Sequence, residues 1–136
     1  MPIIGSTFSI IHGEKKGKIS PDMNINSSLK VEGVERTKGA QEDSNLLEFS
    51  FEFSVEYQNA GSILLKGVVM FVDEKKKIDQ ILKSYVKDKS IPSEVKTLIY
   101  NHALYRASIK ALMLSEELRL PAHIRLPHVE SKQSNK

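Results

Sequence analysis

The stretch from Leu47 to Tyr57 admits one local structure. Leu47, Phe49, Phe51, Phe53, Val55 and Tyr57 alternate without error against Glu48, Ser50, Glu52, Ser54 and Glu56. Successive side chains of an extended chain point to opposite faces, so this period of two predicts a strand with one buried face. Its three phenylalanines each bury a large area and demand a facing layer. Gln58, Asn59, Ala60 and Gly61 supply a turn in which Gly61 is free to take positive φ, and Ser62 to Val72 is the returning strand.

The returning strand is apolar on both faces. Ile63, Leu65, Val69 and Phe71 lie on one, and Leu64, Val68, Met70 and Val72 on the other, with Lys66 the one break in the second face. Such a strand is covered on both sides, by the chain's own helices on one and by a partner chain or a bound polypeptide on the other. The alternative is that a small domain wraps the strand at the centre of its sheet. Two further strands precede this hairpin: Thr7 to His12, ended by Gly13, and Asn24 to Arg36, where Gly33 marks a bulge or bend. Thr37 to Asn45 is polar and has no apolar period, so it is a connection.

After the strands the period changes. Asp73 is expected to cap a helix from Glu74 to about Lys87, with Ile78, Ile81, Leu82 and Tyr85 on one stripe. Ser90, Ile91 and Pro92 break it. Ser93 then opens a second helix to about Leu118, roughly 38 Å long at 1.5 Å per residue. Val95, Leu98, Ile99, His102, Tyr105, Ile109, Leu112 and Met113 form its expected core face. Leu104, Ala107, Ala111 and Leu114 run along the other side, where a small-residue stripe fits a second copy of the helix across a two-fold axis. Leu120 to Pro127 carries two prolines and reads as an extended apolar exit, and Glu130 to Lys136 as a disordered polar tail. With 136 residues, 40% hydrophobic and 27% charged, residues 1–129 are expected to form one α+β domain.

Composition excludes several function classes. There is no cysteine, hence no disulfide, thiolate metal site, iron–sulfur cluster or cysteine nucleophile. The start lacks a basic signal, and no run approaches the roughly 18 apolar residues that span a bilayer, so a cytoplasmic location without membrane insertion is expected. The histidines His12, His102, His123 and His128 do not converge as metal ligands, and no cofactor is expected. Neither a nucleophile with its base nor a glycine-rich phosphate loop is present, so the chain reads as a non-enzyme. Glu48, Glu52 and Glu56 recur along one strand face about 13 Å apart, too far for a catalytic pair. They form either a solvated face or an acidic docking stripe for a basic partner. The net charge of +3 is spread over scattered lysines, densest at Lys15 to Lys18 and Lys75 to Lys77, which makes RNA the least favoured partner.

The order of first strand, crossover, alternating hairpin and long helix with a proline-bearing exit, Leu120-Pro-Ala-His-Ile-Arg-Leu-Pro-His-Val129, resembles the SecB-like protein-export chaperones. That resemblance implies a four-stranded antiparallel sheet with both helices on one face, dimers joined into tetramers, and apolar grooves that hold unfolded polypeptide. Leu64, Val68, Met70 and Val72, with Leu120, Ile124 and Leu126 of the exit, are the residues expected at the client or oligomer interface. Methionine suits such a surface because it adapts to varied shapes. By position, Glu48 resembles the family's acidic residue at the start of the third strand, on the surface that docks an export ATPase; Glu52 and Glu56 do not map cleanly. The chain departs from the bacterial pattern in its charged helix after Asp73 and in lacking an acidic balance and acidic tail. These departures count against the ATPase partnership and leave the chaperone fold standing. An adaptor of the same fold without client binding is the alternative function.

Overall fold

The computed structural model describes residues 3–36, 45–125, 127 and 129. Four strands, β1 (Ile3–Lys15), β2 (Asn26–Arg36), β3 (Leu46–Glu56) and β4 (Gly61–Val72), precede two helices, α1 (Lys75–Asp88) and α2 (Ser93–Glu117). The strands form one antiparallel sheet in the order β1-β4-β3-β2. The α+β class, the hairpin and both helices stand as the sequence predicts. The polar crossover, the tail 130–136, Leu126 and His128 fall wholly or partly outside the described residues.

Period two in β3 and β4 divides the sheet cleanly. Leu47, Phe49, Phe51, Phe53 and Val55, with Ile63, Leu65, Val69 and Phe71, face the helices and are essentially fully buried. They meet Ile78, Ile81, Ile99 and Ala103 in one cluster and Ala107, Ala111 and Leu120 in another. Phe49 meets Phe71 edge to face at 5.8 Å, and Phe8 meets Phe51 likewise at 6.0 Å. A phenylalanine removes roughly 150–250 Å² from water, so each contributes at most about 4 to 6 kcal/mol of transfer free energy.

Several boundaries differ from the expected ones. β1 continues past Gly13 to Lys15 because its partner β4 continues to Gly61, and the pairing Glu14 with Ser62 and Lys15 with Gly61 is retained. The bulge in β2 lies beside Gly33, where the register shift between Val31 and Gly33 leaves Glu32 without a partner in β3. In the hairpin turn Gln58 takes the left-handed conformation, at φ 46°, while Gly61 serves a different need: a side chain there would overlap the Glu14 carbonyl oxygen of β1. Asp73 accepts from the Glu74 amide at 2.7 Å, one residue short of the cap position, and α2 begins behind Pro92 without a side-chain cap.

The largest difference concerns which side of α2 lies on the sheet. Ile99, Ala103, Ala107, Ala111 and Ser115, at steps of four, are buried against it, whereas Leu98, Tyr105, Ile109 and Met113 stand outside. Ala107 and Ala111 are therefore core residues rather than an outward seam, and Leu104 alone of the expected outward set is exposed. Volume accounts for this. The aromatic side chains of β3 fill the space between layers, so the helix face above them must be small to reach native packing density.

β4 lies so close to β1 that Gly67 has no room for a side chain, which would overlap the Thr7 carbonyl oxygen and press on Phe8 and Phe51. Gly67→Ala is expected to lower stability by about 1–3 kcal/mol, as overpacking does. Gly33→Ala, where a Cβ would meet nothing nearer than the Tyr85 hydroxyl at 3.7 Å, is expected to stay within about 0.5 kcal/mol. Urea titrations of the two variants measure both.

Candidate functional site

The register places the outer sheet face in rows that run across β1, β4, β3 and β2. Gly5, Met70, Glu48 and Glu35 form one row; Thr7, Val68, Ser50 and Gly33 the next; then Ile10, Lys66, Glu52 and Lys30; then His12, Leu64, Ser54 and Ser28. Leu64, Val68, Met70 and Val72 thus share one column on the face turned away from the helices, and all four are half-buried. Ile4 and Ile10 of the neighbouring strand extend this apolar area, at 57% and 43% exposure.

The glutamates occupy that same face in different surroundings. Glu52 sits between Lys66, at 3.3 Å, and Lys30, at 3.9 Å. Its charge is compensated within the sheet. Glu48 lies beside Met70 and opposite Glu35, and Glu56 beside Ser62 and Asn26.

The exit segment does not join the outer column. The last turn of α2 ends with Arg119 in the left-handed conformation, at φ 56°, while the amides of Arg119 and Leu120 bond the carbonyls of Glu116 and Ser115. This paired closure turns the chain back toward the sheet. Leu120 is consequently 6% exposed, in the cluster of Phe53, Val55 and Tyr57 on the helix side. Leu120 and the column Leu64, Val68, Met70 and Val72 are on opposite faces, so the expected single groove is two surfaces. Ile124 is exposed, and Leu126 lies outside the described residues.

Beyond Leu120, His123 packs edge-on against Phe53 at 5.5 Å. Both its ring nitrogens are buried without a hydrogen-bond partner among the described residues, and burial pushes its pKa below the ordinary histidine value. The Tyr57 hydroxyl is buried too. Burial raises its pKa; Ser115 donates its hydroxyl proton to the Leu112 carbonyl, and the Tyr57 hydroxyl has no hydrogen-bond partner among the described residues.

A further apolar surface arises where α2 runs beside β1. His102 meets Ser6 at 3.1 Å, the Arg106 guanidinium lies over the Phe8 ring at 5.7 Å, and Leu114 and Leu118 approach Gly13. Phe8, Tyr105, Ile109 and Met113 line a groove there of about 240 Å³, bordered by Arg106 and Lys110. Tyr105 is 68% exposed and Met113 51%. Ile11 stands exposed on the adjoining strand, whose outer edge has no partner strand among the described residues. Between Ile3 and Ile11 that edge carries no charged residue.

The opposite edge, β2, is blunted. Tyr85 donates its hydroxyl proton to the Glu32 carbonyl at 3.0 Å, Arg36 pairs with Asp79 at 2.7 Å, and Lys30, Glu32 and Glu35 are charged. Charges, a bulge and a covering side chain are the devices by which sheets refuse further strands. Sequence reasoning names Tyr105, Ile109 and Met113 as core; the four-residue recurrence of small residues from Ala103 to Ser115 is the signal that separates them from it. Among the described residues no group of three acids or histidines is placed to hold a metal, and no helix is long and apolar enough to cross a membrane.

No family model matches the sequence, and no curated protein matches it. The fold is similar to that of a SecB-like chaperone of Mycobacterium tuberculosis whose structure was solved in complex with a ChAD peptide from an antitoxin. The two superpose with a TM-score of 0.53 over 96% of this chain and 91% of the other, at 13% sequence identity. The likeness is one of fold.

His123 is expected to make the fold sensitive to acid. The unfolded chain takes up a proton near the ordinary value of about 6.5, whereas the buried ring resists it. Stability is therefore complete above about pH 6.5 and declines as pH falls below it. His102 contributes in the same direction, through burial and the nearby Arg106 charge. In urea midpoints measured across pH, His123→Leu is expected to flatten the profile, leaving the part due to His102.

Proposed function

We propose that the chain is a SecB-like holding chaperone that binds non-native polypeptide, works as an oligomer of identical copies and performs no chemistry. The observation that carries this reading is the amount of large apolar surface left open on two separate regions. Tyr105, Ile109 and Met113 on α2 adjoin the uncharged edge of β1, while Leu64, Val68, Met70 and Val72 form a column on the outer sheet face. Isolated apolar side chains are ordinary on protein surfaces; contiguous ones beside an open strand edge are binding surfaces.

The two regions suit different occupants. A strand edge with a helix above it is self-complementary when two copies meet across a two-fold axis, edge to edge and helix to helix. Such pairing would continue the sheet across both copies and bury the α2 stripe. It would leave the outer columns side by side, a broad apolar surface with polar rows between, tolerant of many sequences. Held polypeptide occupies that outer surface. The neighbouring fold's bound peptide supports polypeptide as the ligand class. With Glu52 compensated by two lysines, an export ATPase is not part of this proposal.

The two surfaces separate under mutation. Ile109→Glu combined with Met113→Glu is expected to reduce the mass in light scattering to that of one chain. Val68→Lys combined with Met70→Lys is expected to leave that mass unchanged while lowering suppression of aggregation of a denatured model protein about fivefold, the ratio that roughly 1 kcal/mol produces. A wild-type chain that is a lone monomer and leaves aggregation untouched refutes the reading.

A further inference from the structure

Among the described residues, a predominantly positive region runs along α1 and its junction with α2, away from both surfaces described above. From Lys75 to Lys96 there are seven lysines against three acids, Asp79, Asp88 and Glu94. Two of those acids are engaged locally: Asp79 with Arg36, and Asp88 with the amide and hydroxyl of Ser90. Lys76, Lys83 and Lys87 are exposed and recur at helical spacing along the outward side of α1.

At the junction of α1 and α2 this basic region borders a groove of about 500 Å³. Val31, Ile91, Tyr85 and Tyr100 give it apolar walls, with Lys89 and Lys96 beside them. Lys89 Nζ lies 4.8 Å from the centre of the Tyr85 ring, and Lys96 Nζ 5.8 Å from that of Tyr100. Resting a lysine on an aromatic face holds the ammonium in place without neutralising it. Neither lysine has a carboxylate partner among the described residues. The one acid on the wall, Glu32, directs its carboxylate to Lys30 at 3.9 Å.

We infer that this groove is a docking site for an acidic peptide segment of another protein, in which carboxylates flank an aliphatic side chain. The carboxylates meet Lys89 and Lys96, and the aliphatic side chain rests on Ile91 and Val31. Charge complementarity selects this occupant over a basic one. Apolar walls select it over a phosphate backbone, which offers nothing to cover them. The two rings already carry lysines, so they are not free platforms for nucleotide bases. An extended strand cannot add to β2 at this point, because Tyr85 occupies the Glu32 carbonyl. The segment is therefore held by its side chains. The site is independent of the holding function and shares no residue with either surface proposed for it.

The test uses fluorescence anisotropy on the full chain with three labelled probes: a peptide of glutamates flanking leucine, the same peptide with lysines replacing the glutamates, and a single-stranded RNA oligonucleotide. The acidic peptide is expected to bind, more weakly as salt rises. Lys96→Glu combined with Lys89→Gln is expected to weaken it at least about tenfold, the ratio that 1.4 kcal/mol makes. Lys76→Glu, on the same basic helix but outside the groove, is expected to change it much less. Tyr100→Ala is expected to weaken the acidic peptide through the lost wall, and circular dichroism confirms that each variant is folded. The inference is overturned by binding of RNA in preference to the acidic peptide, by equal binding of the lysine peptide, by equal losses in the Lys96 and Lys76 variants, or by no binding at all.

Discussion

The aromatic face of β3 governs the rest of this structure. Phe49, Phe51, Phe53 and Tyr57, joined by Phe71 of β4, present a layer that is already nearly thick enough to be a core. A helix laid on such a layer must offer little volume, and α2 does so with Ala103, Ala107, Ala111 and Ser115. The large apolar side chains of the same helix are then displaced outward. Exposure of Tyr105, Ile109 and Met113 is a consequence of filling the core with phenylalanine.

Two unlike sheet edges follow from the strand order. β2 is protected by a bulge, by ion pairs and by the hydroxyl of Tyr85, whereas β1 presents isoleucines and no charge between Ile3 and Ile11. Since both edges are formed by the same chain, the contrast separates an edge that carries the usual devices against further strand pairing from one that lacks them. The charges reinforce the division. Glu52 is balanced within the sheet, while the lysines of α1 and its junction are left to solvent or to partners.

How much of this is legible before folding depends on whether the deciding contact is local. Alternation in β3 and β4 reads directly, because period two needs no knowledge of the opposing layer. The bulge beside Gly33 and the break at Pro92 are equally local. Which face of α2 turns inward is not, since that helix is apolar on both sides and the choice is made by the volume of phenylalanines some fifty residues upstream. The same blindness pairs Leu120 with Leu64 and Val68 in one groove. Only the left-handed turn at Arg119 reveals that the exit returns to the helix side, and arginine is not the residue that announces such a turn.

The two faces of β4 live under unequal constraints. Along its inner face, Gly67 has no space for even a methyl group, and Ile63, Leu65, Val69 and Phe71 are enclosed on every side. Along its outer face, Leu64, Val68, Met70 and Val72 are only half-buried, so the packing of the core constrains their size and polarity less. Substitutions accumulating over time will therefore be filtered by parity: odd positions are held, even positions drift. A lineage can thus alter the chemistry of its outer face, one even-numbered residue at a time, while the architecture beneath goes on unaltered.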